Sequence, residues 1–170
     1  MQGFADGLLH PVTLPLHMLA LVGLSLLIGR QARGARWSAV AAFAAGLGGG
    51  LLGIAGGAGD TGASNVVLSC AFVCGILATL DYRWHFSVTA LLAAVTGAGI
   101  GLASPPDVVS LARANAMLIG VFCAATIIVA GMSAAVAHLA RPWQIIGVRV
   151  AGSWIAASAA LVLAVRIARL

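Results

Sequence analysis

Long apolar runs, separated by short polar, glycine-rich or proline-containing stretches, occupy almost the whole chain. Each run is long enough to cross the apolar part of a bilayer as a helix, which takes about 20 residues. The pattern predicts an all-α fold, a polytopic transmembrane bundle of about six helices in one transmembrane domain over residues 1–170, with no extramembrane domain. The predicted helices cover residues 13–29, 37–54, 63–80, 86–103, 116–138 and 144–165.

The composition agrees with a membrane protein. Hydrophobic residues make up 62% of the chain and charged residues only 8%, whereas charged residues are about 25% of a typical soluble domain. The mean hydropathy is +1.10. The lipid bilayer is therefore the first expected partner, and function must reside within the membrane or at its rim.

The net charge of +5 does not indicate a nucleic-acid partner, because the basic residues are all arginines at or near the ends of apolar runs, where they orient helices. On the predicted topology one side of the membrane receives Arg30, Arg33, Arg36, Arg83 and Arg141, and the other receives Arg113, Arg166 and Arg169. By the positive-inside rule the loop over residues 29–37 is cytoplasmic. This predicts a multi-pass protein of the inner membrane with its N-terminus outside.

Two polar features near the predicted inner side have more than one interpretation. Asp81 and Arg83 fit a solvated cluster at headgroup level, with a proton relay as the alternative. Arg149 lies one to two turns inside the last predicted helix. Its side chain is expected to extend to the inner headgroups, and an intramembrane ion pair with an aspartate is the alternative.

Glycines predict where the helices approach one another. Gly49, Gly53 and Gly57 recur every four residues, and Gly97 and Gly101 repeat that spacing in the fourth predicted helix. Small residues at this spacing let a neighbouring backbone come close, which is the main packing device in lipid. We therefore predict helix seams at both sets. A phosphate-binding loop is not expected, since no lysine follows the glycines.

The candidate site is at the start of the chain. His17 lies inside a run that carries no charge from Thr13 to Gly29, and an ionisable side chain in lipid is functional by default. His10 lies seven residues earlier, about 10.5 Å along a continuous helix. The two side chains therefore meet at one ion only if Pro11 or Pro15 breaks that helix, and otherwise form successive stations on a path. Asp6 precedes His10 by four residues and is its candidate partner at the outer entrance.

The residues around these histidines resemble the first helix of the HupE/UreJ family of small membrane proteins. The resemblance rests on Gly3-Phe4, on residues 7–11 with His10-Pro11, and on residues 17–24, which begin with His17. Members of that family accompany nickel hydrogenases and ureases or act as nickel or cobalt permeases. The resemblance thus implies about six membrane spans and the handling of a divalent metal, with Asp6, His10 and His17 as candidate contacts.

The chain departs from the family pattern at two places. The family's glycine and metal-associated aspartate fall on Leu14 and Leu16, and the histidines of a second motif fall on Thr96 and Ile100. An aliphatic side chain cannot supply the anionic or imidazole ligand that a borderline cation prefers. No resident cofactor is expected, only transient nickel or cobalt.

Two functions remain open from the sequence. The first is permease-like handling of nickel or cobalt, and the alternative is a transport-inactive structural or assembly subunit, in a homo-oligomer or a larger membrane complex. Cys70 and Cys74 are expected to be small core residues, with a soft-metal site as the alternative. An intramembrane enzyme is not expected, because Ser64, Ser133 and Ser153 lack the Gly-x-Ser-Gly setting of a serine nucleophile.

Overall fold

The computed structural model describes residues 2–57, 62–80, 82–106 and 110–168, and within these ranges every regular element is a helix. The predicted all-helical membrane bundle of about six helices is confirmed, with one helix more than predicted. The helices are α1 (Gln2–Thr13), α2 (Pro15–Gly29), α3 (Arg33–Ala55), α4 (Ala63–Thr79), α5 (Phe86–Leu102), α6 (Leu111–Ala137) and α7 (Pro142–Ile167). Asp60, Asp81, Asp107 and Arg169 lie outside the described residues.

Three helices, α3, α6 and α7, are long and apolar enough to cross a membrane, and α1 with α2 makes a fourth if the two are one broken span. Helices α4 and α5 are apolar but have only 17 residues each, or about 26 Å of helix. That length is at the lower limit for crossing the apolar core of a bilayer.

Several helices begin earlier than the apolar pattern predicts. Residues 33–36 were expected in a loop, but α3 begins at Arg33, and α6 begins at Leu111 rather than near residue 116. Arginine is a good helix former, so it extends a helix beyond the apolar run. The side chain of Ser110 then accepts a hydrogen bond from the backbone of Arg113 and caps the start of α6.

Helix α2 lies at the centre of the bundle. Ten of its fifteen residues are buried, including an unbroken stretch from Gly23 to Gly29. It packs mainly against α4 and α6 and also contacts the other four helices. A helix that is apolar on all sides is expected to be covered by protein or lipid on all sides. The polar side chains of α2, His17 and Ser25, are both buried inside the protein.

Helices α3 and α5 form the most extensive pair and run in parallel. Gly97 and Gly101 of α5 lie against the backbone of α3, and a Cβ atom on Gly101 would meet the carbonyl oxygen of Leu47 at 2.7 Å. From the other side, Gly50 faces the carbonyl oxygen of Ala98. Glycine is thus required here because the two backbones touch.

Two of the three glycines predicted to form a seam, Gly49, Gly53 and Gly57, do not face another described helix: these are Gly49 and Gly57. No atom of another helix lies within 4 Å of a Cβ atom built on Gly49, and Gly57 follows the end of α3 in a left-handed conformation with φ of +90°. The face of α3 that contacts α5 instead carries Gly46 and Gly50. The helix is apolar or small-sided nearly all round, so spacing alone does not select between these neighbouring ladders.

Helices α4 and α7 are antiparallel and meet through Gly75 and Gly152. The Nε atom of Arg149 donates a hydrogen bond of 2.9 Å to the carbonyl oxygen of Thr79 at the end of α4. At the other end, Arg166 donates to the side-chain oxygen of Asn65 at 3.1 Å. Arg149 thus binds a free helix carbonyl, and a cation is also favourable beside a helix C-terminus.

The arginine-bearing connections gather at one end of the bundle. Arg30, Arg33, Arg36 and Arg83 surround one cavity with residues at the end of α6 and the start of α7. We call this end the arginine end. The opposite end holds the start of α1, where Asp6 contacts Arg113 of α6.

Candidate functional site

The site is the break between α1 and α2. Leu14 has an extended backbone with φ of −94° and ψ of 108°, and Pro15 is the first residue of α2. Proline disfavours helical geometry in the residue before it, so the chain turns here. The two helices are bent by 71° relative to each other. Pro11, by contrast, lies within α1 without ending it.

Packing against α6 supports this bend. Gly3 and Gly7 of α1 lie against the backbone of Arg113 and Met117 near the start of α6. Gly29, the last residue of α2, lies against Val136 near the end of α6. Helices α1 and α2 therefore follow α6 from one end to the other, as a single broken span does.

The break brings the two histidines together. The ring centroids of His10 and His17 are 5.6 Å apart, and the ring planes are inclined by 60°. With metal–nitrogen bonds of about 2.1 Å and about 1.1 Å from nitrogen to ring centre, two imidazoles on one ion have centroids about 4.5 to 6.4 Å apart. The observed separation therefore allows both rings to bind one ion. On a continuous helix the two histidines would lie about 10.5 Å apart along the axis.

His17 is held inside the protein. Its side chain is 1% exposed, and its Nδ1 atom is buried without a hydrogen-bond partner. An unsatisfied buried ring nitrogen costs about 1–3 kcal/mol, and such a group calls for an explanation through function, water or an ion. His10, which belongs to α1, is only half-buried.

Asp6 is placed at the outer rim of this site. Its carboxylate accepts a hydrogen bond of 3.1 Å from Nη2 of Arg113, and both side chains are about half exposed. An exposed ion pair of this kind contributes about 1 kcal/mol or less to stability. The guanidinium also competes with a metal cation for the carboxylate, so Asp6 is a weaker candidate ligand than the histidines.

Further protein ligands are not gathered beside the histidines. Among the described residues, no group of three or more His, Cys, Asp or Glu side chains is placed to hold a metal ion. Cys70 and Cys74 are both buried on α4. In the part of the chain that the structure describes, no His, Asp, Glu or further Cys side chain joins them in a group that could hold a metal ion. Two imidazoles with water or backbone oxygens would bind a divalent ion weakly, which suits passage rather than storage.

Two of the positions that depart from the family pattern, Thr96 and Ile100, lie in the packed interior, and Leu14 and Leu16 are partly buried. Thr96 and Ile100 of α5 are fully buried, and the Thr96 hydroxyl donates to the carbonyl oxygen of Leu92 at 2.6 Å. Leu16 packs against the hydrophobic core beside His17. Core packing thus occupies the places where further ligands would be expected.

The helical nature of residues 2–13 is what the sequence interpretation missed. The glycines at positions 3 and 7 carried a usable signal, since their four-residue spacing matches the seam that α1 forms with α6. Asp6, His10 and Pro11 interrupt the apolar pattern of this segment, so the apolar pattern alone predicts a first helix that begins only at residue 13.

Comparison with known proteins gives one result. No curated protein and no solved structure matches the chain significantly. The model of the family described as HupE / UreJ protein matches residues 1–163, nearly the whole chain. This match over most of its length shows that the chain belongs to the HupE/UreJ family.

Proposed function

We propose that this protein is a permease-like member of its family that moves or handles nickel or cobalt through the break between α1 and α2. The observation that carries the proposal is the approach of His10 and His17 to 5.6 Å beside a buried, unpartnered ring nitrogen. Neutral imidazole is a good ligand for both metals, and the metal here is the cargo.

The path runs from the rim into the bundle. Asp6 is the entrance contact that attracts the cation, His10 receives it in the half-buried region, and His17 is the buried station. We assign the arginine end to the cytoplasm by the positive-inside rule, which places the N-terminus and Asp6 outside. The protein then resides in the inner membrane as a multi-pass protein.

The alternative is a transport-inactive structural or assembly subunit of a larger membrane complex. It is favoured by the lack of a three-ligand group among the described residues and by the buried Thr96 and Ile100. The two proposals separate on one point. In the first proposal, metal uptake depends on His10 and His17. In the second, these histidines have no part in metal uptake.

The experiment is uptake of radiolabelled nickel and cobalt by transport-deficient cells that express the full chain. His10→Ala combined with His17→Ala should reduce uptake at least about tenfold, since even weakening a ligand through its outer partners costs 10–100-fold. His138→Ala is the matched control, because His138 is exposed at the end of α6 and far along the chain from the break. All variants are compared at equal membrane abundance.

Uptake that survives the double substitution would remove the histidines from the mechanism. No uptake by the folded wild-type chain would favour the subunit proposal, and co-purification with a stoichiometric membrane partner would then be the next observation to seek.

A further inference from the structure

A second feature, independent of the histidines, is a cavity of about 440 Å³ at the arginine end. It lies where the end of α2, the start of α3 and the connection before α5 meet the end of α6 and the start of α7. Its basic and polar lining consists of Arg30, Gln31, Arg33, Arg36 and Arg83. The remaining wall is mostly apolar and includes Val136, Leu139 and Ile145.

The cavity concentrates positive charge. Four guanidinium groups line it, and no acidic side chain is among the described residues of its lining. Asp81 precedes Arg83 by two positions and lies outside the described residues. Positive groups that line the same cavity repel one another, so an anion bound between them would be favourable.

Two buried donor atoms in the lining lack a hydrogen-bond partner. Gln31 is only 9% exposed, and its Nε2 atom is buried without a hydrogen-bond partner. The Nε atom of Arg36 is likewise buried and unpartnered. Both atoms are donors only, and buried donors are normally satisfied. The missing partner is therefore an acceptor, as an oxyanion would be.

We propose that this cavity binds a phosphate group, supplied by an anionic phospholipid headgroup or by a soluble phosphate. Arginine forks match phosphate oxygens in pairs, with charge assistance. Arg33 and Arg36 are three residues apart on α3 and so lie on one side of that helix. Arg83 approaches from a different connection, and the Gln31 amide supplies a neutral donor.

The test measures binding to the purified full-length protein in detergent. Thermal unfolding is followed while phosphatidylglycerol, phosphatidylcholine or inorganic pyrophosphate is titrated, and native mass spectrometry counts retained phospholipids. Saturable stabilisation by phosphatidylglycerol with none by phosphatidylcholine identifies a lipid headgroup as the source. Stabilisation by pyrophosphate identifies a soluble phosphate.

Arg33→Gln with Arg36→Gln should weaken binding about 25-fold, at about fivefold for each arginine near an anionic surface. The control is Arg166→Gln, which removes a cation from the opposite end, where Arg166 contacts Asn65, and should leave binding unchanged. If the double variant does not fold, Arg83→Gln, from a separate connection, should still give about a fivefold loss.

Equal binding by the arginine variants and the wild type would overturn the proposal, as would the absence of binding to either phosphate source. Neither outcome bears on metal uptake, which depends on residues of the α1–α2 break.

Discussion

Gly50→Leu is expected to prevent correct assembly of the bundle, whereas Gly49→Leu one residue earlier leaves it intact. A Cβ atom on Gly50 would overlap the carbonyl oxygen of Ala98 and come within 3.0 Å of the Cα atom of Gly101 on α5. Overpacking a core costs about 1–3 kcal/mol when side chains can adjust. Here the obstacle is backbone, so we expect a loss of at least about 3 kcal/mol.

The matched substitution, Gly49→Leu, is expected to stabilise the protein slightly rather than destabilise it. Gly49 is exposed, and no atom of another helix lies within 4 Å of its Cβ position. Leucine has a higher helix propensity than glycine, which favours α3 by up to about 0.8 kcal/mol. Thermal unfolding and gel filtration in mild detergent distinguish the two variants. Equal stability of both would mean that α3 does not contact α5 through the Gly46–Gly50 face.

Pro15→Ala is expected to reduce metal uptake at least about tenfold although both histidines remain. Without proline at position 15, Leu14 is free to become helical. Joining α1 to α2 as one helix would set His10 and His17 about 10.5 Å apart along its axis. A continuous helix would thus separate the two rings, whose centroids lie 5.6 Å apart in the bent chain. The measurement is nickel and cobalt uptake at matched abundance.

Pro11→Ala is the control for this prediction. Pro11 lies inside α1, which continues through it to Thr13, so its replacement does not alter the break. Uptake should therefore persist in Pro11→Ala. Wild-type uptake by Pro15→Ala would show either that packing against α6 alone holds the bend or that the two histidines need not meet.

The helices were predictable from the sequence because lipid requires long uncharged runs, and each predicted helix overlaps one of α2 to α7. Their pairing was not. Helices α3 and α5, or α4 and α7, pair across intervening elements, and a helix that is apolar all round does not indicate which side meets protein. For this reason the glycine spacing alone does not distinguish the ladder through Gly49 from the ladder through Gly50.

The site residues were predictable from the sequence, but the bend that brings His10 and His17 together was not. His10 and His17 stood out as ionisable groups beside or within an apolar run, and Pro15 was recognised as a possible break. Whether the chain bends there depends on contacts far along the sequence, where Gly3 and Gly7 meet Arg113 and Met117. The contact between Asp6 and Arg113 spans 107 residues and has no local signal.

The central claim is that His10 and His17 can hold one ion together. X-ray absorption at the cobalt edge, on purified full-length protein loaded with Co²⁺, counts imidazole ligands directly. We predict two imidazoles per ion in the wild type, one in His10→Ala and two in His138→Ala. Bound cobalt without imidazole, or binding that is unchanged when both His10 and His17 are replaced, would contradict the account.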